Sequence, residues 1–189
     1  GAGGDDHLDG RAGDDVLRGG AGNDALFGSL GIDVADFSDA TGAIVFDVGV
    51  TSFAAPGLGV DTLASIEGVF GGAFNDVLRG DSGANILGGG GGNDLLDGKA
   101  GSDTADYSYA TAGVRVDLRV AGAQNTLGAG VDTLVAMESL QGSGKDDALT
   151  GNALANVIRA GHGADRVSGG SGDDALDGEG GDDVVIGDA

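Results

Sequence analysis

A chain of 189 residues with 42 Gly, one Pro, no Cys and no Trp has room for one or two domains but not the composition of an ordinary one. Gly stands at about three times its usual share of ~7%, and the single Pro excludes collagen and Pro-rich linkers. The formal net charge of −22 argues against nucleic acid or anionic membrane as a partner, and the lack of Cys removes disulfides and thiolate metal sites.

The acids are skewed as well as abundant: 28 of the 31 are Asp and 3 are Glu. Acidity that serves solubility or disorder draws on Glu at least as readily. Short carboxylates held close to the backbone belong to turns and to Ca²⁺ loops. No apolar run reaches the ~18 residues of a membrane span. The chain opens on a repeat with no leader-like segment, so we expect a piece of a longer protein.

In chain order, residues 1–36 form the first block: four copies of a nine-residue frame with Gly at positions one, two and four, Asp at six and an aliphatic at eight. Gly19–Phe27, GGAGNDALF, fits every position. Position six is Asp6, Asp15, Asp24 and Asp33; position eight is Leu8, Leu17, Leu26 and Ala35. Residues 37–70 form an insert with Ile44, Phe46 and Val48 on one strand face and a degraded frame, PGLGVDTLA, that retains Gly59 and Asp61. Residues 71–106 are the second block, with Asp76, Asn85, Asp94 and Asp103 at position six and Leu78, Leu87, Leu96 and Ala105 at eight. A second insert, 107–141, alternates Val114, Val116, Leu118 and Val120 with polar residues and retains Gly130 and Asp132. The third block, 142–189, carries Asp147, Asn156, Asp165, Asp174 and Asp183 at position six, and Leu149, Ile158, Val167, Leu176 and Val185 at eight. DTLASIEG (61–68) resembles DTLVAMES (132–139), so the inserts are homologous and the larger unit is about 71 residues.

The frame has a mechanical reading. Six residues make a turn and three make a strand x-U-x, of which only the middle side chain points inward. The all-β result is a parallel β-roll, a solenoid whose two inserts are wider coils with longer strands. Thr62-Leu63 and Thr133-Leu134 are the places where a short helix would compete. Phe37, Phe53, Phe70, Phe74, Tyr107 and Tyr109 are expected to plug the core where the coil widens. Gly at the turn positions supplies positive φ and lets carbonyls crowd round a common centre: Gly4, Gly13, Gly20, Gly22 and Gly31, then Gly90, Gly92 and Gly101, then Gly161, Gly163, Gly170, Gly172 and Gly181.

Two units make one coil, so acids 18 residues apart stack on one edge. That pairs Asp6 with Asp24, Asp15 with Asp33, Asp76 with Asp94 and Asn85 with Asp103; in the third block it pairs Asp147 with Asp165, Asp165 with Asp183 and Asn156 with Asp174. Strands about 4.8 Å apart and Ca²⁺–O distances of about 2.3–2.6 Å let one ion fit between stacked turns. These pairs, with Asp61 and Asp132 as further candidates, predict about seven to twelve Ca²⁺ ions. Position-five and position-nine aspartates are expected to be solvated or at most to support the ligands. His7 and His162 stand without partner ligands and read as surface residues.

The repeat resembles the RTX (repeats-in-toxin) nonapeptide family over nearly the whole chain. Departures are Phe74, Lys145 and Leu154 at position four and Asn85 and Asn156 at position six. The resemblance implies a Ca²⁺-binding module exported by type I secretion machinery, poorly ordered in low calcium and folded outside the cell or at its surface. No nucleophile elbow or HExxH motif is present, so the module itself is expected to be non-catalytic. Two other roles fit the same pattern: an accessory domain of an extracellular enzyme catalysing elsewhere, or a structural or adhesive surface-layer segment touching a cell surface or polysaccharide.

Overall fold

The computed structural model describes residues 1–188, and its regular secondary structure is a series of strands of two to six residues joined by turns. No helix occurs among the described residues; Thr62-Leu63 and Thr133-Leu134 are extended. The strands stack on two faces. One face is continuous, an eight-stranded parallel sheet of Val16–Leu17, Val34–Asp36, Gly68–Phe70, Ile86–Gly88, Thr104–Asp106, Ser139–Gln141, Val157–Arg159 and Ala175–Asp177. Its register steps by 18 residues within blocks, as in Val157 opposite Ala175 and Ile158 opposite Leu176.

The opposite face is interrupted. It begins with His7–Ala12, Ala25–Leu30 and Gly59–Ala64, with Ser52–Ala55 antiparallel to the last. A second sheet holds Val45–Asp47, Val77–Arg79, Leu95–Asp97 and Val131–Val135, with Ala123–Asn125 antiparallel to the last. A third holds Arg115–Asp117, Ala148–Thr150, Arg166–Ser168 and Val184–Ile186.

The widening at each insert therefore takes a specific form. After Val34–Asp36 the chain runs forward to Val45–Asp47, which pairs with Val77–Arg79 of the next block. It then doubles back through Ser52–Ala55 to Gly59–Ala64, which pairs with Ala25–Leu30 of the previous block. The second insert repeats the manoeuvre: Arg115–Asp117 reaches Ala148–Thr150, and Val131–Val135 returns to Leu95–Asp97. Each insert gives one strand to the continuous face and three to the interrupted one. The surplus opens a wedge that large side chains must fill.

Position eight supplies the core. Leu78, Leu87, Leu96, Ala105, Leu149, Ile158 and Val167 are buried at the centre of three-residue strands, because a strand of that length turns its middle side chain inward, and Leu26 is buried in the longer Ala25–Leu30. Val185, in the last coil of the described residues, is exposed. In the first wedge Phe37, Phe46 and Phe53 pack ring against ring at centroid distances of 5.0–5.8 Å. Tyr107, at the place of Phe37, fills the second with Val114 and Val116. The expected core role fails for Phe74 and Tyr109, which are exposed. Phe74 occupies a turn rather than a strand, and Tyr109 covers Phe70 from outside at 5.0 Å.

Candidate metal sites

The turns carry the chemistry. All thirteen turn glycines named from the sequence, from Gly4 to Gly181, have φ between 84° and 148°. At position four the reason is contact as well as conformation: a Cβ on Gly22, Gly31, Gly101 or Gly181 would collide with the backbone carbonyl of position four in the turn before. Position two is left-handed too, and tolerates Arg11, Ser29, Lys99 and Glu179 there at φ 58–81°. Phe74, Lys145 and Leu154 are permitted at position four because none of their turns stacks on a full turn of the same kind: strand Val45–Asp47, strand Arg115–Asp117 and the short turn before Ser139 precede them.

All seven acid pairs spaced by 18 are in contact. In each, the backbone N–H at position six donates to Oδ1 of the next acid: Asp6 to Asp24, Asp15 to Asp33, Asp76 to Asp94, Asn85 to Asp103, Asp147 to Asp165, Asp165 to Asp183 and Asn156 to Asp174, at 2.7–3.0 Å. Asp61 and Asp132 extend the columns, accepting from the N–H of Asp24 at 2.9 Å and of Asp94 at 3.0 Å. Sequence reasoning missed two more members. Glu67 and Glu138 accept through Oε2 from the N–H of Asp33 and Asp103, both at 3.0 Å. They occupy the same column of the two inserts and are two of only three glutamates in the chain, which was a usable signal.

The second carboxylate oxygen divides these residues. In Asp15, Asp24, Asp33, Asp94, Asp103, Asp165 and Asp174, Oδ2 is buried and accepts no hydrogen bond. A buried acceptor left in this way costs about 1–3 kcal/mol, more when charged. In Asp76 and Asp147, Oδ1 accepts from Ile44 and Val114 and Oδ2 from the N–H of Gly72 and Ser143. Asp6 Oδ2 accepts from Ala2 N–H at 3.2 Å. Asn85 and Asn156 close the turn with Oδ1 and donate Nδ2 to the carbonyls of Glu67 and Glu138 at 3.0 and 2.9 Å. A carboxylate could not make that donation, which explains Asn at both places.

Among the described residues no Lys, Arg or His forms an ion pair with an acid of the columns. Every ion pair among the described residues uses Asp9, Asp36, Asp39, Asp47 or Asp117. Burial pushes the Asp94 carboxyl up to about 7 and Asp103 up to about 6, although each accepts a backbone N–H that works the other way. Burial likewise raises Asp61, Asp76, Asp132 and Asp165. Hard anionic oxygens with crowded backbone carbonyls suit Ca²⁺. No three His, Cys, Asp or Glu side chains converge among the described residues, so carbonyls must complete any ligand set.

The neighbouring positions differ in part from expectation. Position-five side chains are exposed but ordered: Asp5, Asp14 and Asp146 accept from the backbone N–H of Asn23, Ile32 and Ala164, 18 residues on. Asp36 at position nine is buried and paired with Arg18, not solvated, because it sits against the first wedge. His7 and His162 are exposed.

Comparison with known proteins agrees with this geometry. The family model for the RTX calcium-binding nonapeptide repeat matches four times, at residues 1–35, 70–105, 141–176 and 159–189. No curated protein matches the chain.

Proposed function

The chain belongs to the RTX calcium-binding nonapeptide-repeat family, and from that premise we propose that it is a non-catalytic module of a secreted protein whose fold is completed by Ca²⁺. The RTX repeat is a structural calcium-binding repeat. The observation that carries the finer reading is the set of seven buried carboxylate oxygens, on Asp15, Asp24, Asp33, Asp94, Asp103, Asp165 and Asp174, that no protein donor satisfies.

Those seven side chains hold the cations, with carbonyls from adjoining turns. Asp6, Asp61, Asp76, Asp132, Asp147 and Asp183 close the ends of the columns. Asn85 and Asn156 are left out of the ligand set, since their amides are engaged on both sides. When bound, Ca²⁺ supplies positive charge between carboxylates that the chain itself leaves unneutralised. The turn glycines keep the carbonyls crowded, and the inward aliphatic of each strand holds the spacing. The organisation is three repeat blocks, 1–36, 71–106 and 142–189, joined by inserts at 37–70 and 107–141.

A core of one aliphatic per nine residues is thin for so Gly-rich a chain. Folding and binding are therefore coupled. The module stays loosely ordered during type I export from the low-calcium cytosol and folds outside the cell. The test is a Ca²⁺ titration of chelated protein followed by far-UV circular dichroism. A coil-to-β change at about 10⁻⁴–10⁻³ M, not reproduced by Mg²⁺, is expected. Full β structure in chelator would refute it.

A further inference from the structure

We infer that the two insert turns, Ser65–Glu67 and 136–138, are divalent-cation sites in their own right, with Glu67 and Glu138 as ligands. This rests on the calcium-binding reading above and extends it to residues outside the four repeat matches, which leave 36–69 and 106–140 uncovered.

The geometry is the same in both inserts. Asp33 and Asp103 are fully buried, and Oδ2 of each is without a hydrogen-bond donor. Each faces an insert turn rather than another nonapeptide. A side chain on Gly28 would strike both the Ser65 carbonyl oxygen and Asp33 Oδ2; one on Gly98 would strike both the Ala136 carbonyl oxygen and Asp103 Oδ2. Carbonyl and orphaned carboxylate oxygen thus converge on one small space. In an ordinary step the carbonyl in that place belongs to position one of the next turn, as Gly28 stands toward Gly10.

The insert turn is shorter than the repeat. In the repeat four residues separate the position-one carbonyl from the acid; here one residue separates Ser65 from Glu67 and Ala136 from Glu138. The extra methylene of Glu lets the side chain reach back along the column. The reach is secured from both sides. Asp33 N–H donates to Glu67 Oε2, while the N–H groups of Glu67 and Gly68 donate to the Asp33 carbonyl at 2.8 and 2.9 Å. Asp103 makes the same three contacts with Glu138 and Ser139. One carboxylate oxygen of each Glu is spent on that lock, to the backbone N–H of the very residue whose Oδ2 is orphaned, and no Lys or Arg is paired with either Glu among the described residues. Two acids and a carbonyl without a protein counter-charge form the start of an oxygen cage for a hard cation. Both sites lie beside the continuous face, where each adds one cation step beyond the last Asp of its block and stops at the self-closed Asn turn that follows.

The experiment is a count of bound Ca²⁺ per chain by equilibrium dialysis at saturating calcium. Glu67→Gln and Glu138→Gln keep the length and the acceptor for the N–H bond but remove the charge. Each should lower the count by one, and the double variant by two, while Glu179→Gln leaves it unchanged. Wild type that takes up no calcium would defeat the family-based reading itself. Wild type that binds calcium, with an unchanged count in the Gln variants, would defeat only this inference. Should the variants fail to fold, a crystal of the wild-type protein grown in calcium decides the matter. An ion within about 2.6 Å of a Glu67 oxygen supports it. Occupied neighbouring turns beside an ion-free Glu67 and Glu138 overturn it.

Discussion

Gly83 and Gly101 stand at position four of turns stacked on each other, and a repeat consensus treats them alike. Their surroundings do not. Gly101 has φ +144°, a region nearly closed to side chains, and a Cβ there would collide with the Gly83 carbonyl oxygen. The obstacle is backbone held in the same stack, so it has no rotamer to yield. Gly101→Ala should cost about 1–3 kcal/mol for the dihedral alone, and a total of about 3 kcal/mol or more once the Asn85–Asp103 contact opens. Gly83 lies outside the left-handed region, and its nearest obstacle is Asp81 Oδ1 at 3.3 Å, on an exposed side chain rather than on stacked backbone. Gly83→Ala should change stability by less than about 1 kcal/mol, and reduced freedom of the unfolded chain acts in its favour. Thermal unfolding in saturating calcium reads the difference. For a chain of this size about 3 kcal/mol corresponds to a fall in Tm of about 6–12 °C. Equal Tm losses in the two variants, or the larger loss in Gly83→Ala, would show that position-four glycine answers to something other than stacking direction.

Other perturbations separate the ligand columns from the surface. Asp165→Ala removes an acid bonded on both sides, to Asp147 and Asp183, whereas Asp182 is exposed. The first should raise the Ca²⁺ midpoint several-fold and the second leave it unchanged, with equal midpoints contradicting the register. Arg18→Ala strips the partner from Asp36, whose side chain is 3% exposed against 43% for Arg18. With Arg18 half in solvent we expect a loss of about 1–2 kcal/mol in calcium-saturated protein, between the values for exposed and buried pairs. Asp36→Asn in the same background should recover part of it, and a pair worth nothing would leave Tm unmoved. Phe53→Ala should destabilise the first wedge by about 2–3 kcal/mol, below the usual cost for a fully buried Phe because Phe53 is only partly buried.

What was legible in the sequence follows from what a short period can encode. Eighteen-residue stacking, the inward residue at position eight and the positive φ of the named glycines are properties of one coil, repeated until chance is excluded. The path of the inserts is a different kind of information. Nothing local to Val45–Asp47 says that it pairs with Val77–Arg79 ahead of it rather than with Ala25–Leu30 behind. Its alternation is the same for either partner. Phe74 and Tyr109 misled for a related reason, since aromatic character marks the neighbourhood of a wedge but not which side chain enters it. Glu67 and Glu138 were overlooked because the nonapeptide frame looks for an acid five residues after a Gly, and the shortened turn breaks that count.

The departures from the repeat now have a common cause, and it bears on how the columns work. Asn replaces Asp at position six in Asn85 and Asn156, each directly after an insert turn on the continuous face. There the amide donates to a carbonyl of the turn before. Asp76 and Asp147 keep the carboxylate but have both oxygens taken by backbone N–H groups. The turns that open the second and third blocks are thus closed by the chain's own donors. Later turns are not: Asp94, Asp103, Asp165 and Asp174 have a donor for one oxygen and none for the other. The difference is not shortage of donors in general, since the same backbone supplies them one coil earlier. It is the left-handed residue at position two, present at Gly90, Lys99, Gly161 and Gly170 and absent at Gly72, Asp81, Ser143 and Asn152. Where position two is not left-handed, its N–H reaches the acid of its own turn. Where it is, that contact is lost and the freed carboxylate oxygen is left without a protein donor. On the proposed coupling of folding to calcium, each later block starts from a self-closed turn and extends as calcium is supplied, and the dihedral at position two, rather than the acid alone, is then what separates a binding turn from a structural one.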